Sequence, residues 1–371
     1  MRDMPGKEWA VFGASLDPLD APEKVEMKRA YLDALGKGRL PVRHPRDPYD
    51  LLAPQLACKL GKGIREAGKL PVEDWLKPRP SPRSRPLLTP ARFQDFIDGN
   101  GCLEYARRLE DFMAAEVLPR RPLMVGVDHS LSAGAVGALA ALYGRGELRI
   151  IVFDAHTDAI STRRRQILYR LLRDAERAGV LSGKEDAFPG GGEADSFNCG
   201  SFLHHLIDQG RLDPQRLLII GPADLPPGLA PPGGWNEAEG AAVEDFHRLR
   251  DLGVTILGRR ELQGEGGTGA LREALEALGK GPCYVSVDLD VGALEAVKAC
   301  RFMDLFGMSE RELAMAVGEL ASWLEEEGNS LAGLDVMEMD VHLVGLRHRD
   351  GSRDRTVQVA LKAVERLLVA G

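Results

Sequence analysis

The chain has 371 residues, enough for one large α/β domain or two smaller ones, and 44% of them are apolar, enough for a sizeable core. A formal charge of −8 argues against a general nucleic-acid binder, which needs clustered Lys and Arg against phosphates. No run of about 20 apolar residues is present to span a bilayer, the start Met1–Lys7 lacks a signal-peptide core, and five scattered cysteines without a CxxC pair fit reduced thiols in a cytoplasmic protein.

Trp9 to Gly13 reads as a first strand closed by the turn residues Asp17-Pro18, and Glu23 to Leu35 has helical spacing. From about 40 to 90 the chain is rich in Pro, Arg and Lys, with Lys77-Pro78-Arg79-Pro80-Ser81-Pro82 its most irregular part. That stretch reads as surface loop and short helix. A helix over Gln94–Val117 precedes a strand over Leu123–Val127 and an Ala- and Gly-rich helix over Ser132–Tyr143. The strand Leu148–Phe153 leads into a basic helix, Thr162–Ala178, and then into the Gly-rich stretch Gly183–Asp195. Together, about 160–195 reads as an inserted helix and flexible loop or lid, with Gly190-Gly191-Gly192 as its hinge.

A helix follows over Phe202–Gln209, then strands over Leu217–Gly221 and Val254–Leu257 and a helix over Gly269–Leu278. Tyr284–Asp290 and Leu331–Met337 read as strands, and Thr356–Ala370 as the last helix. Short apolar strands alternating with helices predict a mostly parallel sheet covered on both faces, a three-layer αβα sandwich in a single domain over 1–371. Sheets of this kind bind ligands beyond the carboxyl ends of their strands.

Three acidic clusters fall at such ends. In Phe153-Asp154-Ala155-His156-Thr157-Asp158, three metal-capable side chains alternate along an extended backbone. Alternate residues point to the same side, so the three can converge on one spot. Carboxylates with imidazole suit Mn²⁺ or Zn²⁺ better than a soft metal. The other two clusters are Val125-Gly126-Val127-Asp128-His129-Ser130 and Val285-Ser286-Val287-Asp288-Leu289-Asp290. Asp128 is read as supporting its neighbour His129 rather than as a ligand.

Together with Gly333-Leu334-Asp335-Val336-Met337-Glu338, these strings resemble the signatures of the ureohydrolase family: arginase, agmatinase, formimidoylglutamase and relatives. The likeness runs from about Leu123 to Met339, and the first 120 residues add little to it. It implies an arginase-like fold and a dinuclear Mn²⁺ centre, with Zn²⁺ or another divalent metal as the alternative. His129, Asp154, Asp158 and Asp288 would hold one ion; Asp154, His156, Asp288 and Asp290 would hold the other. Four aspartates would offset the repulsion between two cations, and a water shared by them loses a proton near neutral pH.

The resemblance implies that this bridging hydroxide attacks the planar carbon of a guanidino, amidino or formimino compound. Asp158 would orient it and pass the proton to the leaving amine. Glu338 would grip a guanidinium, Asn198 would contact the substrate, and His204 or His205 would shuttle protons. Family members are commonly trimers or hexamers, which implies a homo-oligomer.

The chain also departs from the family pattern. Val127 replaces a glycine, and Val291 to Cys300 replaces a D-G-L-D-P string and its threonine-bearing loop. After the insertion, Asp195-Ser196-Phe197-Asn198-Cys199-Gly200 places Gly200 where the family has a histidine. L-Arginine is therefore not carried over as substrate. Rival readings are a metal-dependent deacylase of the same fold class, with one Zn²⁺ and a His pair, a non-catalytic metal- or ligand-binding protein, and a phosphoesterase. Arg163, Arg164, Arg165, Arg170, Arg173 and Arg177 either form a solvated helix face or steer an anionic substrate.

Overall fold

The computed structural model describes residues 8–40, 44–178, 192–226, 232–264, 266–347 and 351–370. The strands, in chain order, are β1 (Trp9–Ala14), β2 (Ile64–Lys69), β3 (Arg121–Gly126), β4 (Arg149–Phe153), β5 (Leu217–Ile220), β6 (Thr255–Leu257), β7 (Pro282–Asp288) and β8 (Ser330–Met337). They form one sheet in the order β2-β1-β3-β8-β7-β4-β5-β6. Every pairing in it is parallel.

The central strands are apolar on both sides, as a sheet covered on both faces requires. In β4, Ile151 and Phe153 join one core layer while Ile150 and Val152 join the other. The first layer is closed by helices Pro48–Leu60, Gly267–Leu278, Glu310–Leu324 and Thr356–Ala370. The second is closed by Pro22–Gly36, Gly101–Phe112, Ser132–Tyr143, Phe202–Asp208 and Glu237–Asp251. The expected three-layer αβα arrangement is therefore present.

Close approach on the second face depends on Gly134: a Cβ there would lie 2.3 Å from the Ala106 carbonyl oxygen on the neighbouring helix. Helix Glu310–Leu324 starts at a reciprocal cap, with Ser309 and Glu312 each accepting from the other's backbone N–H.

Three expectations about elements need correction. The stretch from about 40 to 90 is more regular than its composition implies. It contains helix Pro48–Leu60, with Leu52 and Leu56 fully buried, and the edge strand β2. Pro48 opens that helix, where a missing N–H costs nothing. Helix Gln94–Val117 is broken at Gly99-Asn100, where Asn100 takes φ 61°. Helix Glu237–Asp251, capped reciprocally by Asn236 and Glu239, was not anticipated. Most of the Gly-rich lid stretch lies outside the described residues.

Candidate metal centre

The four neighbouring strands β3, β8, β7 and β4 occupy the middle of the sheet. Their carboxyl ends deliver Asp128 and His129, Glu338, Asp288 and Asp290, and Asp154 to Asp158 respectively. Several of these acids fold one oxygen back on their own turn. His156 N donates to Asp154 Oδ1 at 2.7 Å, Asp290 N to Asp288 Oδ1 at 2.9 Å, and Ser130 N to Asp128 Oδ1 at 3.2 Å. Such Asx turns fix the acid and free its second oxygen. Asp158 takes φ 46° and Glu338 φ 65°, a left-handed conformation that non-glycine residues adopt at a cost of about 1–3 kcal/mol.

The freed oxygens meet His129. Its Nδ1 lies 2.8 Å from Asp158 Oδ2, 3.0 Å from Asp288 Oδ2 and 3.1 Å from Asp154 Oδ2. A second group joins Asp154, His156 and Asp290; His156 Nδ1 is 3.0 Å from Asp290 Oδ2 and 3.5 Å from Asp154 Oδ1. Within each group the donor atoms lie within 4.8 Å of one another, and Asp154 belongs to both. Asp288 belongs to the first group alone, its Oδ1 being taken by the Asp290 N–H.

These grouped acids oppose one another electrostatically. Burial, then the charge of Asp154, pushes Asp158 up to about 8 and Asp290 up to about 7. Burial and the charges of Asp290 and Asp154 hold Asp288 well above the usual carboxylate range. Burial alone would lower both imidazoles, but the surrounding carboxylates, Asp288 foremost at His129, raise both far above their ordinary value. Yet the buried His129 Nδ1 and Asp154 Oδ2 make no hydrogen bond. At His129, close oxygen and imidazole donors that converge without bonding one another fit a divalent cation.

A polar chain behind His129 orients it. His129 Nε2 lies 2.9 Å from Ser286 Oγ, whose O–H donates to Asp335 Oδ1 at 2.6 Å. Ser286 therefore accepts from Nε2–H, which leaves Nδ1 as the side of the ring a cation would take. Asp335 sits in register with Ser286 across β7 and β8, and also accepts from Ser132 and Tyr284.

A cleft of about 200 Å³ opens onto His156, Asp158, Asp288 and Asp290. Glu338, Asp224, Asp304, Phe302, Cys199 and Gly200 also line it, and among the described residues no Lys or Arg does. Asp304, at the rim, lies 3.3 Å from His156 Nε2.

A family model described as the arginase family matches residues 95–369. The chain belongs to the arginase family. Proclavaminate amidinohydrolase of Streptomyces clavuligerus is 29% identical over 170 residues, 46% of this chain and 40% of that protein. A Schizosaccharomyces pombe protein with a provisional agmatinase name is 24% identical over 223 residues, 60% of this chain and 44% of that protein. The chain thus spans less than half the length of these curated relatives. Among solved structures, arginase from Bacillus subtilis matches with a TM-score of 0.55 at 17% identity, over 98% of each chain. That likeness is one of fold.

Other residues singled out within this arginase-family chain are placed less simply. Glu338 lines the cleft, but its Oε1 already accepts from His129 N at 2.9 Å and from Arg301 Nη1 at 3.0 Å. Asn198 is used locally: its Oδ1 accepts from Ser201 Oγ at 3.3 Å at the start of a short turn, and it does not line the cleft. His204 and His205 do not line it either. His204 Nε2 pairs with Asp208 at 3.3 Å and its Nδ1 faces Arg248, while His205 packs on Phe197. Both rings are carried by the helix Phe202–Asp208, and their contacts are with Asp208, Arg248 and Phe197.

Of the arginines, Arg163 pairs with Glu244, Arg170 with Glu237, and Arg165 with Ser196 and Tyr169. Sequence reasoning missed Arg301 entirely. Ser286 and Asp335 stood inside the quoted strings, but nothing in their spacing showed that they touch.

Proposed function

We propose that this protein hydrolyses a C–N bond of a small guanidino, amidino or formimino compound at a pair of divalent cations, Mn²⁺ first and Zn²⁺ as the alternative. His129, Asp154, Asp158 and Asp288 would hold one cation, and Asp154, His156 and Asp290 the other, with Asp288 beside it. When bound, the pair would supply Lewis acidity and a water whose proton is lost near neutral pH. Asp158, which both contacts His129 and lines the cleft, would accept the water's proton and pass it to the leaving nitrogen. Glu338 would accept an N–H of the substrate, and Phe302 would keep bulk water from the reacting carbon.

One observation carries this reading: two groups of donors, all buried but the half-buried His156, share Asp154 at the ends of β3, β7 and β4. The free, scattered cysteines support action in the cytoplasm, and the unbroken sheet supports a single arginase-like domain. Among the described residues no helix is long and apolar enough to cross a membrane.

The test is a panel of guanidines, amidines and formimino compounds, with and without amino-acid tails, incubated with Mn²⁺-loaded protein. Release of urea or ammonia from at least one is expected, with all activity lost in Asp290→Asn. No release from any of them sinks the reading. One Zn²⁺ per chain with amide cleavage would favour a deacylase instead.

A further inference from the structure

Directly after the divergent stretch Val291 to Cys300, Arg301 brings a cation to Glu338, which lines the cleft. Arg301 N donates to the Glu338 carbonyl at 2.8 Å, and Asp340 N to the Ala299 carbonyl at 2.9 Å. Residues 299–301 are thereby zipped to the chain that follows β8. The Arg301 side chain runs inward and is 4% exposed. Its Nη1 lies 3.0 Å from Glu338 Oε1 and 3.0 Å from Asp128 Oδ2, and its Nε lies 3.2 Å from Asp17 Oδ1. Lys28, also buried, meets the other oxygen of Asp17 at 2.9 Å. Three buried carboxylates therefore share two buried cations.

We propose that Arg301 is a positioning residue: it holds Glu338 by one carboxylate oxygen and leaves the other as a single acceptor for the substrate. Glu338 Oε1 is taken by Arg301 and the His129 N–H, while Oε2 has no hydrogen-bond partner and the residue lines the cleft. A free guanidinium pairs best with a carboxylate through both oxygens. Here the protein's own guanidinium closes that fork, so the substrate is anchored through one N–H. A guanidine then gains no second contact over an amidine or formimino group on the same tail. The substrate side of this inference rests on the proposed function; the Arg301–Glu338 arrangement does not.

The experiment is a double-mutant cycle on Mn²⁺-loaded protein with Arg301→Met, Glu338→Gln, the double variant, and Arg301→Lys. Arg301→Met is expected to raise KM about tenfold, the scale of a lost hydrogen bond to a charged group, with kcat and metal content little changed. Arg301→Lys keeps the charge without the fork and recovers part of the loss. In the Glu338→Gln background, Arg301→Met changes KM by less than about twofold, because its effect runs through Glu338.

An equal KM rise in both backgrounds overturns the proposal. If Arg301→Met does not fold, the double variant, which loses one charge of each sign, is compared with Glu338→Gln alone by the same criterion. If the wild-type protein turns over nothing, the functional reading fails separately. Crystal structures of the wild type and Arg301→Lys then decide, together with Arg301→Met or, if that does not fold, the double variant beside Glu338→Gln. A residue 338 side chain displaced by Arg301→Met, and in place in Arg301→Lys, supports the positioning role; an unmoved one overturns it.

Discussion

At the scale of single residues, the candidate centre depends on groups that support the donors as much as on the donors. Ser286 links His129 to Asp335, and such partners typically contribute 10–100-fold to metal affinity. Ser286→Ala is therefore expected to weaken Mn²⁺ binding by about that factor with little loss of fold, measured by titrating metal-free protein; unchanged affinity would mean that Ser286 does not orient His129. The bare site also makes stability depend on pH. Asp158, Asp288 and Asp290 have raised folded values, so the folded metal-free state holds protons that the unfolded chain releases near pH 4. The contributions of Asp290 and Asp158 are complete below that pH and are lost as pH rises through about 7 and about 8 respectively, and Asp288 acts in the same direction. The raised histidines act in the same direction above their unfolded value. Chelated protein should thus become less stable in denaturant melts between about pH 5 and 8, and added Mn²⁺ should reverse the trend; rising stability without metal would contradict it.

The i, i+2, i+4 spacing of Asp154, His156 and Asp158 was legible because one strand end presents all three. Arg301 was not, since its partners Asp17, Asp128 and Glu338 are distant in sequence. The positions of His204 and His205 turn on the rotation of a short helix, which local sequence does not specify.

At the scale of elements, β3, β8, β7 and β4 were readable as apolar runs, because strands buried on both faces carry few polar residues. The edge was harder. β2, Ile-Arg-Glu-Ala-Gly-Lys, has no fully buried residue and lacks that signal. Helix Pro48–Leu60 was hidden by Pro48 and Pro54. Packing of helix Ser132–Tyr143 on Gly101–Phe112 gives a sharp test at Gly134. Alanine improves helix propensity by about 1 kcal/mol, but its Cβ would meet a backbone carbonyl at 2.3 Å, an overpacking cost of about 1–3 kcal/mol. The clash is expected to win, so Gly134→Ala should lower the unfolding free energy; a more stable variant would show that the two helices can separate.

At the scale of the whole molecule, a parallel sheet gathers residues from four strand ends at one place, which explains how clusters more than a hundred residues apart share one cleft. The chain order of the strands did not reveal that β8 lies between β3 and β7, so Glu338 was legible as a strand-end acid but not as a neighbour of His129. The central claim is that two cation positions share Asp154. Metal content per chain after loading and gel filtration tests it most directly. The account predicts two Mn²⁺ in the wild type, one in His129→Ala, one in His156→Ala, and none retained in Asp154→Asn. A single ion in the wild type, or two ions in Asp154→Asn, would contradict it.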